Sequence, residues 1–362
     1  MKVIALHLPQ FHRIEENDRW WGEGFTEWTN VKKATPLYSD HHQPNQPFQG
    51  KYYDLSDPDV RKWQAETANQ HGIYGFCYYH YWFKGKRLLE KPVNEILSSG
   101  EPDFPFCLSW ANETWTRKWD GQESDILMAQ NYGDQDDWEE HFNYLVNVFK
   151  DKRYIRVEDK PLFLIYRPAS IPRCEEMIQF WRELALEHGL KGIHFVQTIG
   201  GFPTFNHQIF DASMEFEPHY TFAHGHMNGI WIEMNIEGRQ HIAVNYDKVW
   251  SSILERTPHR NGEMIYPGAF VNWDNTPRRG VDGQSTLGST PEKFGIYLAR
   301  QMERARTVYN SEYLFVNAWN EWAEGAYLEP DQKYGYAYLR ELKKVIQQEL
   351  LNRNKSVGGS SQ

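Results

Sequence analysis

Residues 313–325 of the chain read YLFVNAWNEWAEG, an apolar run that ends abruptly in polar residues and tryptophans. The run is continuously apolar rather than alternating, which is typical of a strand buried on both faces of a parallel sheet. Similar runs recur along the 362 residues, so the predicted strands are 3–8, 73–81, 104–110, 161–167, 193–199, 212–216, 266–273 and 313–319. The pattern predicts an eight-stranded, mostly parallel sheet.

The segments between several of these runs have the features of helices. Residues 57–72 begin with a capping Asp, continue with Pro58 in the first turn and end at Gly72. Other segments place apolar side chains three to four residues apart, as amphipathic helices do. They are 134–150, 175–189, 291–307 and 336–351. Strands alternating with helices predict an α/β fold, a (β/α)8 TIM barrel.

A doubly wound open sheet is the alternative fold. That fold has a glycine-rich turn after its first strand, whereas this chain continues with PQFH at 9–12. We therefore expect one catalytic barrel over residues 1–350. Its long βα-loop insertions are 9–56, which should fold over the active site, and 217–242. A flexible tail is expected at 351–362.

Composition argues against several classes of partner. The formal net charge is −10 and the acidic residues are scattered, which argues against nucleic acid or an anionic membrane as the main partner. No apolar run is long enough to insert into a membrane, and His7 and Pro9 interrupt the N-terminal run. We therefore expect a cytoplasmic protein. The three cysteines are far apart and the histidines, including His224 and His226, form no metal-binding pattern, so we expect no metal and no cofactor.

Polar and aromatic residues follow nearly every predicted strand. The carboxyl ends of barrel strands meet at one face, where active sites of TIM barrels lie. Aromatic rings stack on sugar rings, and amides, imidazoles and carboxylates bind hydroxyl groups, so the set predicts a carbohydrate site. The candidate substrate-binding residues are His7, Gln10, His80, Tyr81, Trp110, Asn112, Glu113, Tyr166, Arg167, Glu215, Asn272, Trp273, Trp319, Asn320 and Trp322.

Glu321 and Glu324 are the candidate catalytic residues. Three positions apart in a turn, both carboxyl groups can reach one small volume. Their like charge, with Trp319 and Trp322 excluding water, would raise one pKa and leave an acid beside a base. Such a pair can cleave a glycosidic bond. Alternatively, the glutamates simply begin the last helix, where its dipole favours negative charge.

Five long segments resemble the WbsX-like family, whose members are often described as glycosyltransferases of polysaccharide or O-antigen gene clusters. The segments are LPQFHRIEENDRWWGEGFTEWTNVKKA, YGFCYYHYWFKGKRLLEKP, PFCLSWANETWTRKWDG, KPLFLIYRP and NAWNEWAEGAYLEPD, and the resemblance runs from Val3 to about Leu350.

The last of these segments is also similar to a motif of glycoside hydrolase family 99, the endo-α-mannosidases, which are (β/α)8 barrels. Glu321 and Glu324 match its two catalytic glutamates. The resemblance implies that Glu321 deprotonates a sugar 2-hydroxyl, which attacks C1 and forms a 1,2-anhydro sugar. It implies that Glu324 protonates the leaving oxygen and then activates water, with retention of configuration. The opening LPQFH differs from that of family 99, so the substrate of that family does not carry over.

These observations predict a retaining, family 99-like glycoside hydrolase. Its partner would be an oligo- or polysaccharide with α-linked manno- or rhamno-configured sugars, in a bacterial surface polysaccharide or O-antigen. Two alternatives remain open. A glycosyltransferase of polysaccharide biosynthesis would need a nucleotide-sugar site, and the sequence has no phosphate-binding glycine-rich loop. A non-catalytic carbohydrate-binding barrel would keep the aromatic residues but would not need both glutamates.

Overall fold

The structure, a computed structural model, describes residues 1–117, 122–205, 207–225, 229–258 and 263–358. The loop histidine His226 lies outside the described residues. None of the helices in these ranges has an apolar stretch long enough to cross a lipid bilayer.

The barrel sheet is built from nearly continuous, buried apolar strands. In chain order they are Lys2–His7, Ile73–Phe83, Phe106–Trp110, Lys160–Ile165, His194–Ile199, Ala212–Glu215, Met264–Tyr266, Gly268–Phe270 and Tyr313–Asn317. Neighbouring strands pair in parallel; Val3, for example, is opposite Ile73 on one side and Leu314 on the other. The predicted parallel sheet is therefore confirmed.

The seventh strand closes the barrel in two halves. Met264–Tyr266 pairs with the sixth strand, and Gly268–Phe270 pairs with the eighth. Pro267 separates the halves because it has no N–H to donate to a ladder, but its carbonyl accepts a hydrogen bond from the Phe315 N–H at 3.1 Å. The nine segments thus form eight strands of a nearly closed barrel, as the TIM-barrel prediction requires. The seventh strand ends at Phe270, not at residue 273.

Helices cover the outside of the barrel. They are Pro58–Gln70, Lys91–Ser99, Gln135–Phe149, Cys174–Glu187, Tyr246–Glu255, Pro291–Thr307 and Ala337–Gly358. The first begins as expected, because the Asp57 side chain accepts a hydrogen bond from the Asp59 N–H. One connection departs from the predicted pattern. The twelve residues 200–211 between the fifth and sixth strands contain, where described, only the 3₁₀ turn His207–Ile209.

The 9–56 loop is ordered by its own small core. It contains the helices Glu15–Trp21 and Glu27–Lys33, and Trp28 of the second helix packs on Phe11 and Trp322. Burial of these rings anchors the loop to the turn that follows the eighth strand. The loop is therefore a folded part of the carboxyl-end face of the barrel.

Two further insertions lie on this face. The 217–242 segment holds the short helix His219–His224 and an antiparallel pair, Trp231–Ile236 with Arg239–Asn245. The second of these strands pairs in parallel with Gln284–Leu287.

An unpredicted hairpin, Trp115–Arg117 with Gln122–Met128, follows the third strand. Short elements also occur at Lys86–Leu88, Arg156–Val157, Asn320–Glu321 and Ala326–Tyr327, at the helix Thr276–Arg279, and at the 3₁₀ turns Phe48–Gly50, Pro168–Ser170, Gly280–Asp282 and Trp322–Glu324.

The last helix is longer than the sequence analysis predicts. It continues to Gly358, so most of the segment expected to be a flexible tail at 351–362 is helical. No helix-breaking residue occurs between Leu350 and Val357, which explains the extension. The final four residues lie outside the described ranges.

Candidate active site

The two candidate glutamates lie on one tight turn after the eighth strand. Glu321 is followed by the 3₁₀ turn Trp322–Glu324, and Gly325 then reverses the chain with a φ of +62°. A Cβ at Gly325 would come within 2.9 Å of the Asp274 Cβ, so both the conformation and the space require glycine. The turn brings the side chains of Glu321 and Glu324 into the same cavity, which has a volume of about 240 Å³.

Arg278, which lines this cavity, joins the carboxylates of three glutamates. Its Nη2 lies 2.7 Å from Oε1 of Glu27 and 3.2 Å from Oε2 of Glu321. Its Nη1 donates a hydrogen bond to Oε1 of Glu324. Arg278 comes from the short helix after the seventh strand, and Glu27 comes from the 9–56 loop. One guanidinium therefore connects the loop to both candidate catalytic groups.

Burial and mutual repulsion control ionisation in this cluster. Burial raises the pKa of Glu321 well above its usual value, the neighbouring Glu324 raises it further, and Arg278 opposes the shift. Burial also raises the pKa of Glu324, again against the effect of Arg278. For Arg278, burial lowers the pKa, but the carboxylates of Glu27, Glu324 and Glu321 outweigh it and raise the pKa above its usual value. A permanently charged arginine thus faces a pair of glutamates that favours retaining a proton.

The walls of this cavity come from the carboxyl ends of several strands and from the inserted loops. The side chains are a mixture of aromatic rings and polar groups, and the two glutamates are among the polar groups. This composition is suited to ligands that have both C–H faces and hydroxyl groups. The lining residues include Leu8, Gln10, Trp21, Tyr79, Tyr81, Glu113, Trp115, Tyr166, Phe216 and His219.

Part of the predicted set meets in this cavity. Glu321 and Glu324 are joined there by Gln10, Tyr81, Glu113 and Tyr166. Arg167 lies at the edge, where its Nη2 is 2.7 Å from Oε1 of Glu113.

Several predicted amides and histidines form hydrogen bonds with backbone groups or with buried side chains instead of lining the cavity. Asn320 is fully buried; its Oδ1 accepts from the Leu8 N–H at 2.7 Å and its Nδ2 donates to the Leu8 carbonyl. Asn112 makes the same kind of pair with the backbone of Arg167. These amides satisfy backbone groups where strands end. The remaining two contact the outer helices: His7 contacts Gln64 of the helix Pro58–Gln70, and His80 contacts His141 of the helix Gln135–Phe149.

The other predicted residues are not among the side chains that line this cavity. Trp319 and Trp322 are fully buried, and the Trp322 ring stacks on Tyr327. Their burial contributes to packing rather than to a ligand surface. The others are Trp110, buried beside Trp82; Trp273, buried beside His219; Glu215, 3.0 Å from Arg256; and Asn272, which lines a second cavity.

Important residues of this site were absent from the predicted set. Arg278 could have been noticed, since the segment NTPRRG lies in the loop that follows the seventh strand. Glu27 carries no local signal, because only the folded loop brings it to Arg278. Tyr79 precedes Tyr81 by two positions and so shares its face of the second strand. Of the loop tryptophans, Trp21 lines the cavity, whereas Trp28 packs beneath it.

A family model described as "Glycosyltransferase WbsX" matches residues 3–342. The chain belongs to this family. Among curated proteins, the "Uncharacterized protein WxcX" of Xanthomonas campestris pv. campestris is 38% identical over 349 residues. The alignment covers 93% of this chain and 48% of the relative, so the chain spans about half the length of the curated relatives it matches.

Solved structures that share the fold include a glycoside hydrolase and a protein described as glycoside hydrolase-like. The GH99 endo-α-mannosidase from Bacteroides thetaiotaomicron is 13% identical, with a TM-score of 0.59 over 97% of this chain and 98% of that one. A "Glycoside hydrolase-like protein" is 12% identical, with a TM-score of 0.58 over 95% of this chain and 93% of that one. At these identities the likeness establishes the fold, and this WbsX-family chain has a glycoside hydrolase-like barrel.

Proposed function

We propose that this WbsX-family chain is a retaining glycoside hydrolase that cleaves α-linked manno- or rhamno-configured sugars in a bacterial surface polysaccharide. One observation carries the proposal. The carboxyl groups of Glu321 and Glu324 face one aromatic-walled cavity at the carboxyl ends of the barrel strands, and Arg278 contacts both. In enzymes with this fold, the reacting groups lie at the carboxyl ends of the barrel strands.

The reaction follows from two carboxyl groups that carry one proton between them. In the first step, the Glu321 carboxylate removes the proton from the sugar 2-hydroxyl, and O2 attacks C1 as the glycosidic C1–O bond breaks. Glu324 gives its proton to the leaving oxygen. In the second step, the Glu324 carboxylate takes a proton from water, the water oxygen attacks C1 and opens the 1,2-anhydro ring, and O2 recovers its proton from Glu321. Two inversions give retention.

Burial and Arg278 support a pair of carboxyl groups that shares one proton. Burial raises the pKa of both glutamates, which helps one of them to hold a proton at neutral pH. Arg278 stabilises the carboxylate that results from each transfer. The assignment of base to Glu321 and acid to Glu324 follows the similarity to the family 99 motif, because Arg278 contacts both residues.

The second candidate function is glycosyl transfer, which the family description favours. The same carboxyl pair could pass a sugar to an acceptor hydroxyl in place of water. A transferase would accept a nucleotide-sugar as donor, whereas a hydrolase would release free sugar from an oligosaccharide alone.

The deciding experiment combines both donor types with matched variants. We would incubate the protein with α-linked manno- and rhamno-oligosaccharides, and separately with nucleotide-sugars and an acceptor, and follow the products by NMR. Release of the α-anomer from oligosaccharides, lost in Glu321→Gln and Glu324→Gln but kept in the exposed-site control Glu187→Gln, would support the hydrolase. Turnover of nucleotide-sugars only would support transfer. Saturable binding with neither reaction would support a carbohydrate-binding barrel.

A further inference from the structure

A third cavity, with a volume of about 150 Å³, lies among the segments that follow the first and eighth strands. It is lined by residues between 47 and 53 of the 9–56 loop, by Trp63 of the helix Pro58–Gln70 and by residues between 329 and 336. Sites that enclose a whole small molecule usually have about 300–1,000 Å³. The third cavity therefore has room for one ring of a longer molecule.

Aromatic side chains that the core does not fully bury surround the third cavity. Trp63 lies outside the buried face of its helix, which consists of Arg61, Gln64, Ala65, Thr67 and Ala68. A group of apolar rings that remains accessible beside polar residues marks a surface that contacts a ligand or a partner. The partly buried rings that line the third cavity are those of Phe48, Tyr53, Trp63 and Tyr336.

The walls of the third cavity are held in place by the protein itself. The Phe48 N–H donates to the Pro330 carbonyl at 2.9 Å, and the Gln332 N–H donates to the Gln46 carbonyl at 2.9 Å. These bonds join the 9–56 loop to the segment before the last helix. Because the rings lie on connected segments, a ligand would not have to order them, which lowers the free-energy cost of binding.

Glu329 is one of the two charged residues that line the third cavity, and the protein already satisfies its carboxyl group. It is buried, and its oxygens accept hydrogen bonds from Trp322 Nε1 at 2.6 Å, from Gln64 at 2.7 Å and from the Tyr53 hydroxyl at 2.8 Å. Glu329 and the fully buried Trp322 therefore form the inner wall. Recognition of a ligand depends on the residues nearer the surface.

Lys51 is the other charged residue of the third cavity, and its ammonium group is free to bind a ligand. Lys51 is exposed and forms no ion pair with any residue that the structure describes. The neighbouring Gln49 is also exposed, and its φ of +58° is unfavourable for a residue that has a side chain. Such strained residues are often found at ligand-binding sites. An ammonium and an amide thus offer hydrogen-bond donors beside the rings.

This combination selects the chemistry of the ligand. The C–H face of a sugar ring can stack on an aromatic ring, while the oxygens at its edge accept hydrogen bonds from an ammonium or an amide. The free charge of Lys51 disfavours a cationic ligand. We propose that the third cavity binds one sugar residue of a glycan, which stacks on Trp63 and accepts hydrogen bonds from Lys51 and Gln49.

The inference rests on the proposed function only for its ligand class, a glycan. Trp322 lines the third cavity, and Glu321, the residue before it, lines the catalytic cavity. A polymeric substrate would then contact the protein at two places, which would increase its affinity without changing the chemistry.

Crystals of the Glu324→Gln variant soaked with manno- and rhamno-configured trisaccharides would show where sugars bind. We expect a sugar ring against Trp63, with an oxygen within about 2.7–3.2 Å of Lys51 Nζ. In solution, the backbone amide signals of Gln49 and Gly50 report on the third cavity separately from the catalytic cavity. Titration of the same trisaccharides, followed by these NMR signals, would therefore measure the affinity at this site.

Two substitutions remove the recognition groups. Trp63→Leu combined with Lys51→Ala should weaken binding at the third cavity tenfold or more, whereas Trp63→Phe, which keeps an aromatic ring, should retain more of the affinity than Trp63→Leu. Lys62→Ala is the matched control for the loss of a positive charge, because Lys62 is exposed and lies 3.9 Å from Glu66. Circular dichroism would verify that the variants are folded.

The outcomes separate this proposal from the proposed function. Sugar in the third cavity, weakened by the double variant but not by Lys62→Ala, supports the site even when no substrate is hydrolysed. Sugar confined to the catalytic cavity overturns the site even when hydrolysis is observed. An affinity at the third cavity that the double variant leaves unchanged also overturns it, because Trp63 and Lys51 would then not be the recognition groups.

Discussion

Glu27 and Arg278 lie 251 positions apart and form a buried ion pair, in which Oε1 of Glu27 accepts hydrogen bonds from Nε of Arg278 at 2.9 Å and from Nη2 at 2.7 Å. Through this ion pair, the 9–56 loop contacts Arg278, which also contacts both candidate catalytic glutamates. Because Glu27 is fully buried, removal of Arg278 would leave a buried carboxyl group without its ion-pair partner.

We expect Arg278→Met to lose both stability and activity. Removing one member of a buried ion pair typically costs about 3–5 kcal/mol, since the partner charges remain uncompensated. Urea denaturation would measure the free energy of unfolding, and Glu27→Gln would be compared with it. The double variant should lose less than the sum of the single changes, because the groups act as a unit. Additive losses would contradict the coupling.

Glu321→Gln should reduce the rate of glycoside cleavage by about 10²–10⁴-fold, the usual contribution of a general base. In the anhydro-sugar route the Glu321 carboxylate contacts the 2-hydroxyl, so a 2-deoxy substrate should be inert and a 2-fluoro sugar should leave no covalent adduct. Steady-state kinetics and mass spectrometry of the intact protein provide the measurements. A sugar attached to Glu321 would replace this route with double displacement.

Glu329 should make stability depend on pH. It is buried beside Trp322, Gln64 and Tyr53, and burial raises its pKa from 4.5 to about 7. A raised pKa in the folded state means that the stability associated with the protonated carboxyl is fully present below pH 4.5 and is lost as pH rises to about 7.

At about 1.4 kcal/mol per pKa unit, this loss is about 3 kcal/mol. Glu329→Gln cannot ionise, so its unfolding free energy relative to the wild type should rise by that amount between pH 4.5 and pH 8. Denaturant titrations at several pH values would measure the difference. Glu187→Gln, on an exposed helix end, should show no such trend, and a flat difference for Glu329→Gln would refute the argument.

Gly325→Ala should lower the stability of the protein more than alanine does at another glycine with a positive φ. Alanine in this backbone conformation costs about 1–2 kcal/mol, and its Cβ would also collide with Asp274. Gly238→Ala is the matched control, because Gly238 has a φ of +83° and open space around the site of a Cβ. Equal melting temperatures for the two variants would exclude a specific requirement at Gly325.

Two tryptophans of the 9–56 loop should behave differently. Trp21 lines the catalytic cavity, so Trp21→Ala should raise the KM for an oligosaccharide with little change in stability. Trp28 is buried in the core of the loop, so Trp28→Ala should cost about 3–5 kcal/mol of unfolding free energy. Kinetics combined with thermal denaturation would distinguish them. Similar stability losses in both variants would count against a ligand-contacting role for Trp21.

The sequence by itself determined the barrel and the position of the glutamate pair. Continuous apolar runs are a local signal of buried parallel strands, and the spacing of Glu321 and Glu324 places them on one turn whatever surrounds it. Among the barrel strands that the structure describes, the seventh departs most from its predicted form, because Pro267 splits it in two. The family motifs in the sequence also agree with the family model that matches 3–342.

Only the tertiary structure decided which side chains meet at those glutamates. Arg278 and Glu27 converge because the folded 9–56 loop brings Glu27 to the short helix Thr276–Arg279, and no local pattern encodes a contact across 251 positions. Trp319 and Asn320 have the same residue types as ligand-binding groups, yet one fills the core and the other satisfies the backbone of Leu8. Residue type sets what a side chain can bind, but burial and neighbours, which arise from the fold, decide whether it faces a cavity or the interior.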